Sequence, residues 1–319
     1  MKKTLSIGGA TYDLFVRTAK GMLRTDAGGT MLELPLGQKV RVQQVIETCG
    51  GGAANTSIGL SRLGCTSHFC GIIGSDQWGE RMLATLKKEN VNTCNATIVE
   101  GETTSFSIIL SAGSGERVIL YDPGTNAHLH DANFDREFVA GMDWIYLNHI
   151  HERSAVIEDD LVAMLKGNPR MGLTWNPGGA QCKSGMASKS NRALLTETDL
   201  LVLNKEEAFA FTGEETVEGA ITVFLGAGVK MLCICDGKRG TVGATGSERR
   251  ECPVDSGADV VDTTGAGDAF GSGATWALLQ GFDLPTILRA GTINATGVIG
   301  AIGAQAGLLT DTQMRQRLG

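Results

Sequence analysis

The chain has 319 residues, a net charge of −7 and a pI near 5.3, a balance that argues against nucleic acid or an anionic membrane surface as its main partner. An anionic ligand would have to be held by local donors and metal, because the field of the whole molecule repels it. The length suits one large α/β domain or two small ones.

From the N-terminus, Lys2 and Lys3 precede an apolar stretch, but Gly8, Gly9 and Asp13 interrupt it, which fits neither a signal peptide nor a membrane span. Eight cysteines without paired C-x-x-C spacing point to free thiols, and the expected location is the cytoplasm. Apolar runs at Leu5–Gly9, His68–Ile73, Trp144–Leu147, Met171–Trp175, Leu200–Leu203 and Met231–Cys235 predict buried strands, with amphipathic helical stretches between them. That alternation implies a mostly parallel sheet covered on both faces. Two stretches, about 12–48 and 103–121, break the rhythm. The second predicts a hairpin turning at Gly113-Ser-Gly115.

Ligands of such sheets sit beyond the carboxyl ends of the strands, so polar residues just after the apolar runs are the candidates. Gly50, Gly51 and Gly52 permit close approach of backbone to a ligand, and the amide of Asn55 suits a polyol or a helix cap. His149 and His151 are two apart at a strand end. A loop or cleft position suits them better than a metal, since no further ligand pattern surrounds them. Glu206 and Glu207 are well placed to open an exposed helix, and Asp236 to Gly240 reads as a tight turn after a strand.

Residues 261–270 carry the chemistry. Gly265, Ala266 and Gly267 have little or no side chain, so their N–H groups can close on an anion, and the apolar run from Ala269 to Leu279 has helical spacing. A phosphate-binding helix N-terminus is therefore expected. Asp268 would repel such a ligand unless it did chemistry or met a metal, which makes it a candidate base for an acceptor hydroxyl in phosphoryl transfer.

Asp262-Thr-Thr-Gly-Ala-Gly-Asp268 resembles the C-terminal signature of the ribokinase-like, or PfkB, carbohydrate kinase family. Gly50-Gly-Gly-Ala-Ala-Asn55, Gly71–Gly79, Asn204-Lys-Glu-Glu207 and Asp236–Gly240 resemble its other blocks in the right order. The resemblance implies a single α/β domain over 1–319, a ribokinase-like three-layer fold with a mostly parallel central sheet and a small β-sheet lid from 12–48 and 103–121. It implies an ATP- and Mg²⁺-dependent kinase. Asp13, Gly51, Gly52 and Asn55 would bind the acceptor, with Asn148 and Asn176 as further contacts. Asn204, Asp236, Gly237, Gly240, Thr264 and Asn294 would line the ATP site, with Asn294 opening a helical run near the adenine. Glu207 would hold Mg²⁺ through water. Some relatives bind a monovalent cation, so K⁺ at Asp262 is left open.

Relatives that act on phosphorylated sugars commonly carry a lysine in this glycine block and Gly50–Asn55 carries none, so the resemblance implies a neutral ribose- or fructose-like acceptor, although Arg117 or Arg153 would favour an anionic one. A nucleoside kinase is the alternative, its base against Phe15, Phe106 or Tyr121. A catalytically silent sugar or nucleotide sensor is the other. Exposed lid strands offer edges through which a homodimer would form.

Overall fold

The computed structural model describes residues 1–18, 23–26, 29–111, 117–131, 135–150, 155–255, 257 and 259–319. The first half of the chain runs β1 (Lys3–Ile7), β2 (Thr11–Arg17), β3 (Leu23–Asp26), β4 (Gly29–Leu32), β5 (Gln44–Gly50), α1 (Gly52–Arg62), β6 (Thr66–Gly74), α2 (Gln77–Lys88), β7 (Asn92–Val99), β8 (Phe106–Ser111), β9 (Arg117–Asp122), α3 (Arg136–Ala140) and β10 (Trp144–Leu147). Then come α4 (Ala155–Gly167), β11 (Gly172–Trp175), α5 (Gly179–Ser184), α6 (Lys189–Glu197), β12 (Leu200–Asn204), α7 (Lys205–Thr212), α8 (Val217–Gly226) and β13 (Met231–Cys235). The chain closes with β14 (Thr241–Thr245), β15 (Arg249–Cys252), α9 (Ala266–Leu279), α10 (Leu284–Ile299) and α11 (Asp311–Leu318).

Nine strands form the main sheet in the order β15-β14-β13-β12-β11-β10-β1-β6-β7. Every pairing from β13 to β7 is parallel, and β14 and β15 add an antiparallel edge. The period of two along each strand divides its side chains between two cores. Leu201 and Leu203 pack on one face with Leu194, Phe211 and Phe224 from α6, α7 and α8. Leu200 and Val202 pack on the other with Phe270, Trp276, Ile287 and Leu288 from α9 and α10. Helices thus cover both faces, as the unbroken apolar strands require.

A smaller sheet stands apart, in the order β5-β2-β8-β9, with β2 and β8 parallel and the outer pairs antiparallel. β3 and β4 make a separate two-stranded ribbon instead of joining it. The hairpin expected within 103–121 is present as β8 and β9, while its turn residues lie outside the described ones.

Each of the six expected strands is present within two residues of its expected ends. β7, β14 and β15 had not been expected. They are edge or near-edge strands with polar sequences such as Arg249-Arg-Glu-Cys252, so no apolar run marks them.

Candidate active site

Because β1, β10, β11, β12 and β13 are parallel, the residues that follow them share one edge of the sheet. Asn148, Asn176, Asn204 and Asp236 stand there, and the N-terminus of α1 lies nearby. α9 begins at Gly265, whose φ of 77° lies in the left-handed region and whose added Cβ would come within 2.3 Å of the Ala304 side chain. No side chain caps this helix, and a Cβ on Gly267 would meet nothing within 4 Å. Ala266 N–H donates back to Thr263 O at 3.3 Å, and the next N–H groups, those of Gly267 and Asp268, lie at the positive end of the helix dipole, a cradle that fits a phosphoryl oxygen.

Asp268 stands half-buried in the first turn of α9. Its Oδ2 accepts from Asn55 Nδ2 at 2.8 Å. Burial, opposed by that bond and reinforced by the negative charge of Glu207, lifts its pKa to about 6. Asp13, on β2 of the smaller sheet, accepts from the Ser107 hydroxyl of β8. Burial again raises its pKa to about 6, with Ser107 lowering it and Asp262 raising it. Gly50 faces Asp13, since a Cβ there would approach Asp13 Oδ2 to 2.3 Å, and Gly51 at φ 90° fits against Ala10. These two glycines answer to the protein's own close contacts. Gly52 opens α1 beside the Asn148 side chain.

Asp262 is a junction. Its Oδ1 accepts from Thr264 N and Oγ1 at 3.1 and 2.8 Å and from Arg117 Nη1 at 3.2 Å, and its Oδ2 accepts from Gly303 N at 3.1 Å. Arg117 belongs to β9 and also donates to Thr263 Oγ1, so the smaller sheet is tied to the loop that opens α9. Both oxygens of Asp262 accept protein donors and a guanidinium faces it, so its side chain is engaged within the protein, and K⁺ there stays as open as the sequence left it. Thr264 serves here by bonding Asp262.

Asn204 and Glu207 form a reciprocal capping box at the start of α7, with Glu207 Oε2 accepting from Asn204 N at 2.9 Å. Burial holds the Glu207 pKa above its ordinary value. No three His, Cys, Asp or Glu side chains converge as a metal cluster among the described residues. A site built on Glu207 alone fits Mg²⁺, which keeps most of its waters. Asp236 is held below the usual carboxylate range, first by the Arg239 guanidinium bonded to both its oxygens at 2.7 Å, and it also faces Lys205. It thereby shapes the turn in which Gly237 and Gly240 take positive φ.

Two expected contacts have their side chains spent elsewhere. Asn148 is 1% exposed and donates to Ile7 O and Thr56 Oγ1, clamping β10 to β1 and α1. Asn294 does not open a helix but sits inside α10, fully buried. It donates to Ala269 O and Ser272 Oγ and accepts from Leu309 N, which binds α10 to α9 and leaves nothing for an adenine. Asn176 donates to Val202 O at 2.8 Å, and the amide of Asn55 is directed at Asp268. His149 lies against Gly178, and His151 and Arg153 lie outside the described residues. The sequence reading passed over Ser107 and Gln305. Their partners lie 94 and 250 positions away, so no local motif marks them.

A helix N-terminus that opens at a left-handed glycine and carries a carboxylate in its first turn, with a second buried carboxylate on the small sheet, suits a phosphotransferase with an alcohol group as acceptor. Residues 20–311 match the model of the pfkB family carbohydrate kinases. The chain is 28% identical over 271 residues to a ribokinase of Haemophilus influenzae, covering 82% of this chain and 84% of that one. It superposes on Arabidopsis thaliana ribokinase complexed with ribose and ATP, with a TM-score of 0.82, 22% identity and coverage of 100% and 99%. It superposes also on a Burkholderia thailandensis nucleoside kinase in complex with inosine, with a TM-score of 0.80, 17% identity and coverage of 99% and 97%. The chain belongs to the PfkB family of carbohydrate kinases.

Proposed function

We propose that the chain is a single kinase domain that phosphorylates a hydroxymethyl group of a neutral sugar, with Asp268 as the base. The observation that carries this is the placing of Asp268 in the first turn of a helix that starts at a left-handed glycine with no side-chain cap. Asn55 holds Oδ2 of Asp268, which leaves Oδ1 for the acceptor hydroxyl. Asp13, anchored by Ser107, orients a neighbouring hydroxyl. When bound, ATP with Mg²⁺ supplies the γ-phosphoryl group. The N–H groups at Gly265 and Gly267 would hold that group, and Glu207 would hold the metal through water. The smaller sheet acts as a lid that excludes water, itself a competing acceptor. Gly237 and Gly240 let the turn after β13 approach the nucleotide.

A cavity of about 360 Å³ beside Asp262 favours a second reading. Phe15, Ile46, Ile109 and Val261 give it apolar walls, which suit a nucleobase on a ribosyl acceptor. Phe106 instead packs on Trp78, with ring centroids 4.7 Å apart. Mg-ATP-dependent ADP release across neutral sugars, nucleosides and phosphorylated sugars tests both readings. A signal lost in Asp268→Asn supports the kinase and names its acceptor. Binding of sugar or nucleotide by calorimetry with no acceptor-dependent ADP release would overturn it in favour of a silent sensor.

A further inference from the structure

Asn55 hydrogen-bonds on both sides. Its Nδ2 donates to Asp268, and its Oδ1 accepts from Gln305 Nε2 at 3.0 Å. An amide can turn over about its last bond and exchange its donor and acceptor ends. With the other end presented, Asn55 would set a carbonyl oxygen against the Asp268 carboxylate. The donor from Gln305 opposes that flip.

Gln305 is itself gripped. Arg62 Nη1 donates to Gln305 O at 2.8 Å and to Leu308 O at 3.0 Å, while Glu89 holds the same guanidinium by two bonds of 2.8 Å. Asn55 and Arg62 are seven residues apart on α1, two turns along one face, so that face holds both the side chain and the main chain of Gln305. The far end of the loop is fixed by the bond from Gly303 N to Asp262.

We propose that Gln305 is a positioning residue, which acts through Asn55 to fix the donor that faces the catalytic carboxylate of Asp268. The proposal rests on the kinase reading only for the word catalytic. The donated bond favours the ionised carboxylate, whereas burial and the charge of Glu207 on α7 oppose it, and the buried Tyr146 of β10 also faces Asp268. Loss of Gln305 therefore removes one of the two contacts that orient Asn55, and weakens the bond that opposes protonation of Asp268.

The test uses Gln305→Leu and the near-isosteric Gln305→Glu in the full chain, each checked for folding by circular dichroism. Titration of Asp268 is followed by ¹³C NMR of aspartate-labelled protein, assigned with Asp268→Asn, and needs no substrate. Gln305→Leu is expected to move that titration upward by about half a pH unit or more. It should carry the acid limb of kcat/KM with it and lower kcat about tenfold, with acceptor KM changed less than threefold. Gln305→Glu accepts only when ionised, so it should lose more than Gln305→Leu at pH 8 and recover relative to it as the pH falls. A purely structural role would move neither the titration nor this order. An Asp268 titration unmoved in both folded variants would overturn the proposal. A native chain without turnover whose Asp268 titration still follows Gln305 would sink the kinase reading and leave the relay standing.

Discussion

At the residue scale, two carboxyls are held near pKa 6 against a free value of 3.8, and burial is the main cause for each. A carboxyl raised on folding binds its proton more tightly in the folded state, so it penalises folding above about pH 6, and the penalty fades as the pH falls towards 4. Asp268→Asn should therefore raise Tm at pH 7.5, by an amount corresponding to about 1–2 kcal/mol, with the gain shrinking as the pH approaches 4. The same variant should lower kcat by about 10²–10⁴-fold with acceptor affinity little changed. A variant that is less stable at neutral pH, or has near-native turnover, would remove Asp268 as a buried base. Its candidacy was legible because glycines and a carboxylate alternate within four positions. Its partner Gln305 was not, because the contact closes a loop of 250 residues.

At the element scale, Arg117 ties the smaller sheet to the loop that opens α9, through Asp262 and Thr263. The guanidinium is 31% exposed and the Asp262 carboxylate 7%, so the pair is partly shielded from screening. Arg117→Ala should leave the fold intact but loosen closure. Acceptor KM is then expected to rise several-fold, and the fraction of ATP lost to water should increase. Unchanged coupling of ADP release to acceptor phosphorylation would contradict this role.

The packing of α9 on the sheet offers a separate test. A Cβ on Gly271 would stand 1.8 Å from the hydroxyl of the buried Tyr146. Gly271→Ala should cost about 1–3 kcal/mol in thermal or urea unfolding, and adding Tyr146→Phe should recover part of that cost. A double variant no more stable than Gly271→Ala would place the strain elsewhere.

For the whole molecule, β9 is an edge strand exposed along its length, and Val118, Ile119, Leu120 and Tyr121 are 42–56% exposed. An open apolar edge on the smaller sheet would let two copies pair. Sedimentation of the native chain and of Leu120→Lys should show a dimer that the variant weakens. A native monomer at micromolar concentration would end the proposal. Among the described residues, no helix is long and apolar enough to cross a membrane.

The parallel core could be read from the sequence because strands buried on both faces need uninterrupted apolar runs, and those runs dominate local composition. The helix N-terminus at Gly265 and the carboxylate beside it were also legible, because a glycine turn and a first-turn aspartate are local chemistry. Polar edge strands left no such trace, nor did the assignment of each amide. Asn55, Asn148 and Asn294 are the same residue type with similar capacity. Only the tertiary structure directs one at the carboxylate of Asp268 and spends the other two on holding strands and helices together, because each partner is brought up by a different element of the fold.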